Sequence, residues 1–214
     1  MILKKILILA LLFSSSIWAG EFENAVAEYN KGNYVQALNT FYALAKEGDP
    51  DAQYNVGLIY ANGKGVKQDI AQAMEWYEKA AKAGHGQAAY NLAVIYYTME
   101  ENNPQRYDRA KRWYTVAAEK GISQAENNLA SMYLDGKGGE QNSVKALELF
   151  KSAAEKGNVN AQLNVAVLYA WGKGVPNDKM KAYANFKKAL TGGKSEASQY
   201  LDKLCKESVW VCKN

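Results

Sequence analysis

The chain has 214 residues, 48% hydrophobic and 22% charged, the balance of one folded domain. A formal charge of only +4, with neither sign gathered in a long block, argues against a nucleic-acid-binding surface. A single histidine, His85, and two cysteines, Cys205 and Cys212, leave little material for a metal site or for general-base catalysis, and no cofactor or metal is expected.

The first nineteen residues read as a targeting element. Lys4 and Lys5 supply a positive start, Ile6 to Phe13 form a short apolar run, and Ser14 to Ser16 lead to Ala19 before Gly20 and Glu21. The run is too short to span a bilayer, which favours a signal peptide cleaved after Ala19 over an N-terminal membrane anchor. No cysteine follows the cleavage point for lipid attachment, and no later apolar stretch is long enough to span. The mature protein is therefore expected to be periplasmic or secreted, without stable membrane insertion, and its charge falls to +2 once Lys4 and Lys5 are removed.

From residue 20 onward the sequence repeats itself, which is the strongest signal it carries. Ala52, Ala88, Ala125, Ala161 and Ala197 are separated by 36, 37, 36 and 36 residues. The first four open matching stretches: Asn55 to Gly57 with Tyr60, Asn91 to Ala93 with Tyr96, Asn128 to Ala130 with Tyr133, and Asn164 to Ala166 with Tyr169. Gly-Lys-Gly loops follow at Gly63, Gly136 and Gly172. Then come Ala73, Trp76-Tyr77, Ala80-Ala81 and Gly84, and their counterparts one and two repeats later; the fourth copy, Ala182, Phe186, Ala189 and Gly193, is weaker.

Helical spacing gives the first helix of each repeat an apolar stripe, Ala52, Val56 and Tyr60 in the first copy. Small residues at Gly57, Ala93, Ala130 and Ala166 admit a neighbouring helix, and the large aromatic of the second helix fills the gap. Asp69, Asn142 and Asp178 stand where the second helix wants an N-cap, and Gly84, Gly121 and Gly157 where it wants a left-handed residue to end. Such a hairpin cannot bury its own apolar face; stacking on neighbours does so and makes a solenoid.

This pattern resembles the Sel1-like repeat, a relative of the tetratricopeptide repeat, over residues 51–195 in four copies at about 51–86, 87–123, 124–159 and 160–195. The resemblance implies an all-α, right-handed superhelical solenoid of helix hairpins. Residues 20–50, through Tyr29 to Tyr42, look like a degenerate tetratricopeptide-type repeat in register, since Ala37 precedes Ala73 by 36. Residues 196–214 are expected to form a capping helix and a tail. Two departures stand out: the second repeat has Thr98 to Arg106 in place of a Gly-rich loop, and the third has Gly139 where Val66 and Val175 plug the others.

The Gly-Lys-Gly loops lack the Ser/Thr and the preceding strand of a phosphate-binding loop, so positive-φ turns explain them better. His85, between two glycines, reads as an exposed loop residue with no nucleophile or acid assembled around it. Asn55, Asn91, Asn128 and Asn164 are expected to satisfy backbone groups between helices. In an oxidising compartment Cys205 and Cys212, seven apart, are expected to be bridged, a staple worth about 2 kcal/mol; two buried thiols are the alternative. The apolar Ser208 to Cys212 is expected to fold back onto the body.

By the same resemblance the first helices line a concave groove. That places Tyr54, Leu58, Tyr90, Val94, Tyr97, Asn127, Ser131, Leu163, Val167 and Trp171 on a strip poor in charge and rich in aromatic and amide groups, suited to a protein partner's surface; the alternative is that Tyr54, Leu58 and their equivalents pack on the next hairpin. The expected function is that of a monomeric exported scaffold binding a partner protein, of the kind serving as envelope regulators, assembly factors or immunity proteins against envelope-targeting toxins. The alternative is a β-lactamase-like or cell-wall-acting enzyme, against which stand the absence of a Ser-x-x-Lys motif and the single cysteine pair.

Overall fold

A computed structural model of the chain describes residues 20–100 and 105–213; the expected leader and residues 101–104 of the second-repeat loop lie outside it. The described residues are helical throughout, with no strand. Helix α1 covers 20–30, followed by α2 (Tyr34–Lys46), α3 (Pro50–Asn62), α4 (Ile70–Lys82), α5 (Gly86–Thr98) and α6 (Arg106–Glu119). Then come α7 (Ser123–Asp135), α8 (Ser143–Glu155), α9 (Val159–Trp171), α10 (Lys179–Thr191) and α11 (Glu196–Glu207), with a final 3₁₀ turn at Val209–Cys212. The chain divides within α5 into two compact units, one ending at Ala89 and the other beginning at Tyr90.

Helices α4, α8 and α10 start where their caps dictate, whereas α2 and α6 have no side-chain cap. Asp69, Asn142 and Asp178 accept hydrogen bonds from the backbone N–H of Gln72, Lys145 and Lys181, each at 2.9 Å, so a first-turn donor that would otherwise be orphaned is met. The N–H of each capping residue in turn donates to the carbonyl of Tyr60, Tyr133 or Tyr169, which closes the loop onto the last turn of the preceding helix. The residue before each cap adds a side-chain clamp: Gln68 to Ala61 O, Gln141 to Leu134 O and Asn177 to Ala170 O. Gly84, Gly121 and Gly157 follow the second helices with φ of 96°, 84° and 85°, as their positions in the repeat require.

The first helices are capped by the same rule with more variety. Asp49 and Asn158 accept from the N–H of Ala52 and Ala161 at 2.7 and 3.0 Å. His85 stands at the equivalent place and accepts from Ala88 N–H through Nδ1 at 3.0 Å, whereas Ile122, at that place in α7, has no oxygen to offer.

Packing explains the small and large positions. A Cβ added at Gly57 would lie 2.7 Å from the Tyr77 ring, so only glycine lets α3 and α4 approach as they do. In the first unit, Phe41, Val56 and Ile59 form a core with Leu44 and Trp76, all nearly inaccessible to solvent. In the second unit, Phe150 and Phe186 face Ala130 and Ala166 in a core that runs on to Leu204 and Val211. Burying each of those rings contributes on the order of 2–3 kcal/mol.

The second glycine of each loop has a separate duty. Gly138 and Gly174 take φ of 70° and 72°, and a Cβ there would strike Tyr107 O at 2.7 Å and Ser143 Oγ at 2.3 Å. Both contacts are with the start of the previous second helix, so the loop fastens one hairpin to the last. Val66 and Val175 pack against their cores as plugs. Gly139 replaces the plug in the third loop, and the ammonium of Lys111 comes in beside it, donating to Gly138 O at 2.9 Å.

At the C-terminus Cys205 and Cys212 are disulfide-bonded. The tail folds back in part: Val211 is 1% exposed, whereas Val209 and Trp210 point outward. Among the described residues no helix is long and apolar enough to cross a membrane.

Candidate functional site

The strip expected on the first helices is built differently in the two units. In the first, Tyr54 and Leu58 on α3 are half-buried. The Tyr54 ring stacks on the imidazole of His85 with centroids 4.4 Å apart and planes 18° from parallel, and sits 5.8 Å from Tyr77. His85 is therefore not the exposed loop residue its glycine neighbours suggested. Its side chain is 16% exposed, Nδ1 caps α5, and Nε2 lies 3.3 Å from Asp51 Oδ1. This pattern puts the proton on Nε2. Burial holds the imidazole pKa below its usual range, with the Asp51 carboxylate pulling the other way.

In the second unit four tyrosines gather. Tyr90 and Tyr97 on α5 approach Tyr114 on α6 at 5.9 and 6.4 Å, and Tyr97 approaches Tyr107 at 5.5 Å. Lys137, from the third loop, donates to the Tyr97 hydroxyl at 2.8 Å and holds its ammonium over the Tyr97 and Tyr107 rings. The bond to Tyr97 raises the Lys137 pKa, keeping it charged. Burial pushes the Tyr114 phenol up to about 12, against the hydrogen bond that Asn128 donates to it. Tyr114 is thus a neutral, structural phenol at any physiological pH.

An amide chain extends from there. Asn128 Nδ2 donates to Tyr114 OH at 3.2 Å, Asn127 Nδ2 to Asn128 Oδ1 at 3.2 Å, and Asn164 Nδ2 to Asn127 Oδ1 at 3.0 Å. The repeated asparagines Asn128 and Asn164 thereby join α6, α7 and α9 through side chains and not, as expected, through backbone groups. Asn55 instead bonds the Asp51 carbonyl of its own helix at 2.8 Å. Ser131 is half-buried and donates to Asn127 O at 3.1 Å; Val94 is half-buried beside the tyrosines in sequence.

Toward the C-terminus the strip closes. Leu163, placed on the open face by its register, is in the core at 9% exposure, because α9 carries apolar side chains around most of its circumference. Val167 packs partly on the same core. Trp171 lies edge-on to Phe186 at 6.1 Å and 5.8 Å from Tyr200, and its indole N–H donates to Glu207 Oε2 at 3.3 Å. The terminal helix covers it, a contact that helical periodicity within α9 could not reveal.

Lys137, Tyr107, Tyr114 and Asn164 belong to the aromatic–amide cluster without having been singled out for it. Asn164 and Tyr114 carried a signal, since both occupy repeated polar or aromatic positions; Lys137 and Tyr107 meet only through loop geometry. A second feature missed is Glu126 on α7, whose side chain is 7% exposed and accepts from Ser152 Oγ at 2.7 Å and Lys156 Nζ at 2.8 Å. Among the described residues no group of three or more His, Cys, Asp or Glu is placed to hold a metal ion.

Stacked two-helix hairpins that present aromatic and amide side chains define an α-helical repeat scaffold, a class built for protein–protein interaction. The chain belongs to the Sel1 repeat family, whose model matches residues 50–85, 86–122, 123–158 and 159–194. It is similar to a Sel1 repeat protein from Oxalobacter formigenes, with 29% identity, a TM-score of 0.77, and coverage of 85% of this chain and 74% of that one. It is also similar, at 29% identity and a TM-score of 0.79, to a protective antigen of uropathogenic Escherichia coli with an SLR fold. That alignment covers 92% of this chain but only 44% of the antigen. An immunity protein from Pseudomonas aeruginosa shares the fold alone, at 18% identity and a TM-score of 0.50 over 82% of this chain and 68% of that one. No curated protein matches the chain.

Proposed function

We propose that the protein is an exported scaffold that binds a partner protein on the first-helix side of its second unit. The observation that carries this reading is the tyrosine–asparagine surface around Tyr90, Val94, Tyr97, Asn127 and Ser131. Its side chains are half-buried; Asn127 is held by Asn128 and Asn164, Ser131 by the Asn127 carbonyl, and Tyr97 by Lys137. Preorganised tyrosine and amide groups lose little freedom on binding, the property of good interface anchors. Val167 extends the surface on α9, and Tyr54 and Leu58 offer a similar, smaller one on α3. Leu163 and Trp171 support these surfaces from within.

Export is supported by the leader-like composition of residues 1–19 and by the Cys205–Cys212 disulfide, which persists in oxidising compartments. Within that setting the role is that of an envelope regulator, an assembly factor or an immunity protein, each of which needs a scaffold with one specific partner.

Affinity capture of the tagged protein from its native envelope, beside a Val94→Lys/Ser131→Lys variant, tests this. One stoichiometric partner is expected with the unaltered protein and none with the variant, at equal helical content by circular dichroism. Retention of the same partner by the folded variant would overturn the assignment of the surface.

A further inference from the structure

The opposite side of α9 holds a second candidate site, a crevice of about 300 Å³ between α8, α9 and α10. It is lined by Lys151, Lys181 and Lys188, floored by the buried Tyr169 ring, and carries one acid, Glu155. The ammonium groups of Lys151 and Lys181 lie 5.6 and 5.4 Å from the Tyr169 centroid. Lys181 pairs with Asp178 at 3.0 Å, whereas Lys151 and Lys188 make no ion pair among the described residues. Gln162 completes the wall, and its Oε1 is buried without a hydrogen-bond partner.

The repeat supplies its own control. One period earlier, Glu126 stands in the register of Gln162, and Ser152 in that of Lys188. There the carboxylate is internal: Glu126 accepts from Ser152 and Lys156 and closes the gap between α7 and α8. In the later crevice that carboxylate has become an amide while the facing hydroxyl has become a third lysine. Lys156, the cation that pairs with Glu126, has Gly192 in its register, so the earlier ion pair is gone as a whole, and Lys151 and Lys188 line the later crevice without a paired carboxylate.

We propose that this crevice binds an acidic segment of a partner protein, with an aspartate or glutamate carboxylate entering beside Gln162 as the counter-ion of Lys151 and Lys188. Lys188 and Lys151 donate to the carboxylate, and the Tyr169 ring packs beneath the segment. Because residues 162, 165 and 169 face away from 167 and 171 around the 3.6-residue turn, this site is separate from the tyrosine–asparagine surface and does not rest on it.

The test is an amide NMR titration of the purified protein with a short peptide of alternating glutamate and glycine, beside its glutamine counterpart. Saturable shifts at Gln162 and Tyr169 are expected with the glutamate peptide only. Lys151→Gln/Lys188→Gln should weaken binding about tenfold. Gln162→Glu should abolish it by restoring the internal carboxylate. Circular dichroism establishes that each variant is folded; should Gln162→Glu fail to fold, the double lysine variant decides. Equal binding of the glutamine peptide, indifference to the lysine replacements, or no saturable shifts would overturn the proposal. Displacement by an equal concentration of inorganic phosphate would also overturn it, in favour of a small-anion site.

Discussion

His85 shows how much one side chain does when it replaces a standard cap. It occupies the register of Asp49 and Asn158 and caps α5 through an unprotonated nitrogen. Protonation places a hydrogen on Nδ1, where the Ala88 N–H now points, and the cap is lost. Because burial holds the folded pKa below the ordinary histidine value of about 6.5, the unfolded chain binds the proton more readily. The contribution of this histidine to stability is therefore complete above about pH 6.5 and is lost as pH falls through that value toward the folded pKa. His85→Asn should retain the cap and flatten the acid limb of the stability–pH curve, measured by urea unfolding from pH 5 to 8. His85→Ala should cost about 1 kcal/mol at neutral pH. An unchanged acid limb in His85→Asn would place the pH dependence elsewhere.

At the scale of the element, the repeated loop works as a fastener. The glycines at its second position combine left-handed backbone with contact against the neighbouring helix, and these costs can be separated. At Gly157, φ is 85° and nothing lies within 4 Å of an added Cβ, so Gly157→Ala should cost only the conformational penalty of about 1–2 kcal/mol. Gly174→Ala carries that penalty and also a Cβ at 2.3 Å from Ser143 Oγ, so it should be the more damaging by about 1 kcal/mol or more in chemical denaturation. Equal losses would mean that Ser143 turns aside freely and that the fastening is backbone geometry alone. The helices were legible beforehand because their stripes and terminal glycines are local and repeat four times, and their second-helix caps three times. The side-chain clamps from Gln68, Gln141 and Asn177 were not, since amides before a cap have no pattern until the loop is folded.

For the molecule as a whole, a stack of hairpins needs its ends protected, because the last repeat has no neighbour to bury it. α11 and the 3₁₀ turn cover Phe186 and Trp171, and the Cys205–Cys212 bond holds the turn so that Val211 stays buried. Replacing both cysteines with serine should lower stability by about 2 kcal/mol, from the short loop that the bond closes. The loss should begin at the C-terminal end, seen as faster amide exchange in α11 and α10 before any change in α3 and α4. Uniform acceleration across the chain would show that the end is not a separate opening unit. By itself the sequence determined the repeat, its period, the helix ends, the small-against-large packing of Gly57 on Tyr77 and the family, all of which depend on spacing along one chain. Only the tertiary structure decided which side of each first helix remains open. It moved Leu163 into the core and Trp171 under α11, stacked Tyr54 on His85, and left Gln162 facing three lysines. The physical reason is that a residue's periodicity states which neighbours share its face, whereas its exposure depends on what another part of the chain, distant in sequence, lays against that face.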